Sequence, residues 1–364
     1  MQLHQITSFL ESKAHPSLQE SYDNSGLIVG DKNAEITKAL ISLDCTEAVV
    51  DEAIAKGANL VISHHPIVFK GLKSFTGKNY VERVVMKAIK NDIALYAIHT
   101  NLDNVQHGVN KKIADLLGLE KTQILAPMSG RLQKLVTFVP KANLDEVSEA
   151  MFNAGAGNIG NYDQCGFSNE GLGSFRAGNA ANPHVGEIGK IHREEEFRIE
   201  VIVNDFNSGK VLDALFKAHP YEEVAYFLLE IKNKNQEIGA GMIGTLTDEM
   251  NFDNFIVHLK NSMQLKVIRA TEAIKGPIKK VALCGGSGSF LLGAAKAQGA
   301  DVFITGDFKY HEFFDAEDDI TILDIGHYES ERFTIDLIHD WLREKFSTFA
   351  LLKTDVNTNP VNYL

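Results

Sequence analysis

Leu60-Val61-Ile62-Ser63-His64-His65-Pro66 reads as three β-favouring apolar residues running into a serine, two histidines and a proline. An unbroken apolar run of this length fits a short strand covered on both faces, as in a parallel sheet. Two adjacent imidazoles cannot both enter a core unpaired without a polar cost. On extended backbone neighbouring side chains diverge, so His64 and His65 can reach two different ions. A solvated surface pair is the alternative. Pro66 stiffens the loop that follows.

Outward from this stretch, strand and helix signals alternate. Residues 27–29 and 39–43 read as short strands and 94–98 as another buried strand. Residues 46–56 read as a helix with Thr46 as N-cap and Gly57 as its stop. Residues 81–90 and 107–117 are helical, the second closed by Gly118. The last third repeats the pattern, with strands at 281–283, 302–304 and 320–323 and helices at 291–298, near 310–316 and at 328–346. Such β-then-α alternation predicts an α/β domain with a mostly parallel sheet. The middle differs. A strand at 135–139, a helix at 144–154, a Gly- and Asn-rich stretch at 155–189, a strand at 197–203, a helix at 208–217 and a strand at 224–231 give the order of a ferredoxin-like α+β unit. It is expected as an insertion at 128–235, so that 1–127 and 236–364 form one discontinuous α/β domain.

The 364 residues are 44% hydrophobic with a net charge of −12, enough for a large core and unfavourable for a broad nucleic-acid footprint. Cys45, Cys165 and Cys284 show no disulfide spacing. The first sixteen residues carry Glu11 and no long apolar run, which reads as an amphipathic helix and not as a secretory signal. No run approaches the roughly 20 residues of a membrane span. These features predict a cytoplasmic protein in a reducing compartment.

Four polar clusters stand directly after buried strands: 63–66, His99-Thr100-Asn101-Leu102-Asp103, Thr305-Gly306-Asp307 with His311, and Gly326-His327-Tyr328-Glu329-Ser330-Glu331. In open α/β sheets, sites form outside the carboxyl ends of strands, so four clusters placed alike suggest one crevice. The i, i+4 spacing of His327 and Glu331 puts both on one helical face, where two ligands can share a metal; a solvated acidic helix start is the competing reading. Asp103 offers a hard anionic oxygen, or caps the helix after it. His64, His65, Asp103, His327 and Glu331 together supply three imidazoles and two carboxylates, a set suited to Zn²⁺, Mn²⁺, Fe²⁺ or Ni²⁺ more than to an all-oxygen Mg²⁺ or Ca²⁺ cage. His99 and His311 are candidates for proton transfer or for orienting a ligand, a satisfied structural histidine being the alternative for each; Asp307 could do the same work or cap the helix after it. The loop 285–289, Gly-Gly-Ser-Gly-Ser, matches neither phosphate-binding fingerprint, because Leu291 stands where a third glycine belongs. A tight turn and a phosphate cradle both remain open there. His219-Pro220-Tyr221-Glu222-Glu223 reads as a turn with an acidic edge, or as a lid or oligomer contact.

These motifs, Ser-His-His-Pro at 63–66, His-Thr-Asn-Leu-Asp at 99–103, Thr-Gly-Asp-Phe-Lys-Tyr-His at 305–311 and Gly-His-Tyr-x-x-Glu at 326–331, resemble those of the NIF-three-like dinuclear metal centre proteins, often labelled GTP cyclohydrolase type 2 homologues. The resemblance covers essentially the whole chain. The stretches 155–165 and 218–226 resemble the middle domain of long-form members, which is similar to PII-like and copper-tolerance-like folds. The resemblance implies two divalent metal ions, one held by His65, Asp103 and Glu331, the other by His64, His327 and Glu331, with Glu331 bridging. It also implies a toroidal homohexamer with metal sites facing an interior cavity. Two functions are then expected. One is a metal-dependent hydrolase acting on a small molecule, by the family label a guanine nucleotide opened at C8. The other is a non-enzymatic metal carrier, store or sensor with a regulatory insertion. A scaffold for regulatory partners is a weaker third.

Overall fold

Leu60, Val61 and Ile62 are wholly excluded from solvent. Burying each is worth about 1.5–3 kcal/mol. Their strand, Leu60–Ser63, runs parallel to Lys38–Ser42 on one side and to Ala94–Ala97 on the other. Ala350–Lys353 adds a parallel edge and Gly26–Val29 an antiparallel one, which completes a five-stranded sheet. The helices Glu47–Lys56 and Tyr80–Lys90 contribute Val49, Val50, Ala53, Val84 and Ala88 to the core on this sheet, against Leu40, Val61 and Leu95. The first of these helices begins and ends where the sequence indicates. The Thr46 side chain accepts from the Val49 N–H, and Gly57 closes the helix at φ +65.

The computed structural model describes residues 1–364. The chain divides into two units, Met1–Pro127 with Glu237–Leu364, and Met128–Gln236. It is a mixed α/β structure with three sheets. The first unit holds two sheets where one was expected. Its second, six-stranded sheet keeps a parallel centre of Ile278–Ser287, Val302–Gly306 and Thr321–Asp324. Around it are the two-residue strand Arg269–Ala270 and the long strands Asn235–Met250 and Glu120–Met128. Neither long strand was anticipated. Both mix exposed and buried positions without clean alternation, so period-2 patterning is weak there. The expected helix at 328–346 is broken into His327–Glu331 and Thr334–Lys345.

In the second unit four antiparallel strands lie in the order Gly166–Arg176, Ile191–Asn204, Leu132–Pro140, Tyr226–Ile231. Leu144–Asn153 and Ser208–Ala218 add Val147, Met151, Val211 and Leu215 to a core with Leu135, Val139, Ile199 and Val201. His219 is a buried, satisfied histidine. Its Nε2–H donates to the Phe138 carbonyl at 2.8 Å and its Nδ1 accepts from the Tyr221 N–H. No helix of the chain is long and apolar enough to cross a membrane.

Candidate metal centre

The parallel strands of the first unit's two sheets bring their carboxyl ends to one place. Leu60–Ser63 delivers His64 and His65, and Ala94–Ala97 leads to His99 and, one short turn on, to Asp103. Val302–Gly306 delivers Asp307, and Thr321–Asp324 leads into the helix that carries His327 and Glu331. Residues more than 260 positions apart therefore meet: His65 Nε2 lies 2.9 Å from Glu331 Oε2.

Glu331 is the hub, and only 3% of its side chain is exposed. Its Oε2 faces His65 Nε2 at 2.9 Å and His327 Nε2 at 3.1 Å, and those two nitrogens are 3.4 Å apart. Its Oε1 faces His64 Nε2 at 3.7 Å, and His64 Nε2 lies 3.6 Å from Asp103 Oδ1. The five expected metal residues thus form two sets sharing one carboxylate, His64–Asp103–Glu331 and His65–His327–Glu331. This division differs from the one the resemblance implies, which exchanges His64 and His65. His64 Nδ1 meets the Ile98 carbonyl and its Nε2 faces Asp103, whereas His65 Nε2 faces Glu331 Oε2 and His327. His64, His65 and His99 make a third grouping of the same compactness.

Two buried atoms in the first set, His64 Nε2 and Asp103 Oδ1, have no hydrogen-bond partner. Orphaned buried polar atoms are costly and call for an explanation. Donors about 2.1 Å from a tetrahedral ion stand roughly 3.4 Å from each other. The 3.6 and 3.7 Å separations are close to that spacing, so the donor set fits a metal ion.

The far side of each ring is fixed. His64 Nδ1–H donates to the Ile98 carbonyl at 2.8 Å, His65 Nδ1–H to Asp44 at 2.7 Å and His327 Nδ1–H to Asp307 at 2.7 Å. Such bonds set the tautomer and aim each Nε2 at the centre. Thr358 Oγ1–H donates in turn to the other oxygen of Asp44. Electrostatics follow the same layout. Burial pushes His64 down to about 4, so it is a neutral imidazole. Burial also opposes charge on His65 and His327, but Asp44 and Glu331 hold His65 up at about 10, and Glu331 with Asp307 holds His327 at about 9. Burial and the Glu331 charge push Asp103 well above the carboxylate range, whereas the three histidines outweigh burial at Glu331 and hold it well below. In this arrangement protons on His65 and His327 neutralise Glu331, and a bound cation would displace them.

Glycines let these parts meet. Gly286 has φ +64, and a Cβ there would lie 2.3 Å from Glu331 Oε1; one on Gly306 would lie 2.8 Å from the His327 backbone nitrogen. The 285–289 loop is a scaffold for the acidic hub. The Gly285 N–H donates to Asn110 and the Gly286 N–H to Ser330, each at 2.9 Å.

His99 lies beside the cluster, its ring 5.3 Å from those of both His64 and His65. Its Nδ1–H donates to Asp23 at 2.7 Å. Burial opposes the charge on Asp23, but His99, Thr100 and the Asn24 amide keep it ionised far below the usual range. His311 is not brought in. It is exposed and packs against Tyr310 and Phe314. Asp307 takes a left-handed turn at φ +59, and Phe308 then enters the core, which leaves Tyr310 and His311 facing outward. Asp23, Asp44 and Thr358 escaped sequence reading. Asp44 had a signal, since it too follows a buried strand; Asp23 and Thr358 lie in irregular segments.

If Asp44 orients His65, Asp44→Asn will weaken metal binding about 10–100-fold while leaving the fold intact. Competition against a chromophoric chelator measures this, and an unaltered affinity would remove Asp44 from the account.

The Duf34/NIF3 (NGG1p interacting factor 3) family model matches residues 1–360. The chain is 38% identical over 364 residues to a GTP cyclohydrolase 1 type 2 homolog of Halalkalibacterium halodurans, covering 99% of this chain and 98% of that one. It is 37% identical over 366 residues to a protein of the same description from Bacillus subtilis, with coverage of 99% and 98%. A solved structure of a Bacillus cereus protein related to NIF3 has a TM-score of 0.87 at 38% identity, over 100% of this chain and 99% of that one. By sequence and by fold, the chain belongs to the Duf34/NIF3 family.

Proposed function

We propose that this protein is a metal-dependent hydrolase built on a pair of divalent transition-metal ions, one held by His64, Asp103 and Glu331 and the other by His65, His327 and Glu331. The observation that carries this reading is the pair of orphaned buried atoms, His64 Nε2 and Asp103 Oδ1, turned toward the same carboxylate that His65 and His327 share. Three imidazoles and two carboxylates favour Zn²⁺, Mn²⁺, Fe²⁺ or Ni²⁺. Ions at such a site supply Lewis acidity toward a carbonyl or phosphoryl oxygen and a nucleophile available at neutral pH. Five side chains shared between two sets would leave coordination positions open on ions held there, which would suit chemistry better than closed storage. The cavity beside them, about 810 Å³, gives a small molecule access.

His99 is the proton-transfer residue in this reading. Asp23 accepts from Nδ1–H and orients the ring, which leaves Nε2 as the nitrogen through which a proton would pass. His311 has no part in it. The relatives' name suggests guanine-nucleotide ring opening as the reaction class. The strand order and two helices of the 128–236 unit support a ferredoxin-like insertion, the family resemblance supports a homohexamer, and three cysteines without disulfide spacing support a cytoplasmic setting.

The test is turnover. Metal-replete protein, its content fixed by elemental analysis, is incubated with GTP, guanosine, adenosine and a panel of phosphoesters with and without chelator. Hydrolysis that chelator abolishes and metal restores is the expected result. No metal-dependent turnover on any of them would favour a metal carrier or store.

A further inference from the structure

The walls of the cavity at the metal centre differ from its floor. Tyr22, Phe69, Tyr80 and Phe290 line it with side chains 64%, 46%, 60% and 71% exposed. Four large rings left open to water around one cavity are a ligand-binding signature more than a packing outcome. Tyr22 and Phe69 lie nearly parallel, 20° apart with centroids at 6.4 Å, and Phe69 meets the His99 ring edge-on at 5.8 Å. A flat aromatic surface thus begins where the imidazole cluster ends.

Away from the metal ligands, the charge of the same lining disfavours one class of ligand. Glu20, Asp44, Asp103 and Glu331 face the cavity, and no lysine or arginine does. Arg269 lines the adjoining cavity but is held by Asp324 at 2.8 Å and lies over the Phe313 ring. The backbone amides of Gly285 and Gly286 are already donated to Asn110 and Ser330. Lys309 pairs with Glu312 and is not part of the wall. A polyphosphate needs cationic or convergent amide donors along its length, and away from the metal ligands this cavity has neither.

We infer that the site takes a planar heteroaromatic molecule without a polyphosphate tail, its ring stacked on Tyr22 and Phe69 and its reacting edge turned toward His65, His99 and Glu331. This rests on the metal-hydrolase reading for the chemistry and on the rings and charges alone for recognition. A stacked ring is tolerant of ring identity, since every base has a π-face.

The experiment uses the full-length, metal-loaded protein and calorimetric titration with guanosine, adenosine, GTP and inorganic tripolyphosphate. Guanosine or adenosine should bind about tenfold or more tighter than GTP, through the cost of bringing like charges together, and Tyr22→Leu and Phe69→Leu should each weaken the nucleoside about tenfold with metal content unchanged. Tighter binding of GTP than of guanosine, with tripolyphosphate competing for the same site, would overturn the inference. So would nucleoside binding indifferent to both substitutions, or no nucleoside binding at all. Protein that takes up no metal yet binds nucleosides through the two rings would sink the hydrolase reading and leave this one standing.

Discussion

Glu331→Gln should reduce the metal content of the protein to at most one ion per chain under metal-replete conditions. The expectation follows from the two faces of this carboxylate. Oε1 points at His64 and Asp103, and Oε2 points at His65 and His327. Glutamine keeps one oxygen and replaces the other with an NH₂ that carries no lone pair for a cation. Whichever way the amide turns, one set of donors loses its shared anion. The remaining set is weakened as well, because it had relied on a full negative charge. The loss should exceed the roughly 10–100-fold that removing an orienting partner costs. Elemental analysis with far-UV circular dichroism, to show that the fold is kept, measures it. Two ions per chain in the variant would refute the bridging role.

Gly286→Ala should be nearly as damaging, though it changes no donor. The added Cβ would sit 2.3 Å from Glu331 Oε1, so the carboxylate has to move off its place facing His64 and Asp103, into the cavity that it lines. At φ +64 an alanine also pays for left-handed backbone, about 1–2 kcal/mol. The crowded oxygen is the one facing His64 and Asp103, so the loss should be selective. Metal should fall toward one ion per chain, with the remaining ion at His65 and His327. Thermal unfolding should shift downward with it. Gly57→Ala, at a similar φ but with nothing within 4 Å of the added Cβ, is the control. It carries the backbone cost without the collision and should keep full metal content. Equal metal loss in both variants would mean that general destabilisation, and not the displaced carboxylate, is responsible.

Much of this arrangement was legible in the residues because local and tertiary signals agree there. The run at 60–62 is apolar, short and followed at once by histidines, and the strand Leu60–Ser63 is buried along its whole length. Thr46 and Gly57 bound their helix because cap chemistry is local. The five side chains that meet could be named since each follows a strand or shares a helix face. Their grouping could not. Which imidazole joins Asp103 depends on the rotation of two adjacent rings, fixed by Ile98 and Asp44 from other strands. His311 illustrates the converse. It stands in a polar cluster after a strand like the others, but the turn at Asp307 and the burial of Phe308 send it outward. The second sheet was hidden because Glu120–Met128 and Asn235–Met250 owe their strand state to pairing partners and not to their own periodicity. Thr358 acts on the site only because Asp44 lies within reach, a contact 314 positions apart.

The most direct measurement is an anomalous difference map from crystals of metal-replete protein, collected at the absorption edge of the metal found by elemental analysis. Two peaks are expected, one among His64 Nε2, Asp103 and Glu331 Oε1, the other among His65 Nε2, His327 Nε2 and Glu331 Oε2. A map with no peak at Glu331, or with its only metal bound elsewhere on the chain, would contradict the account.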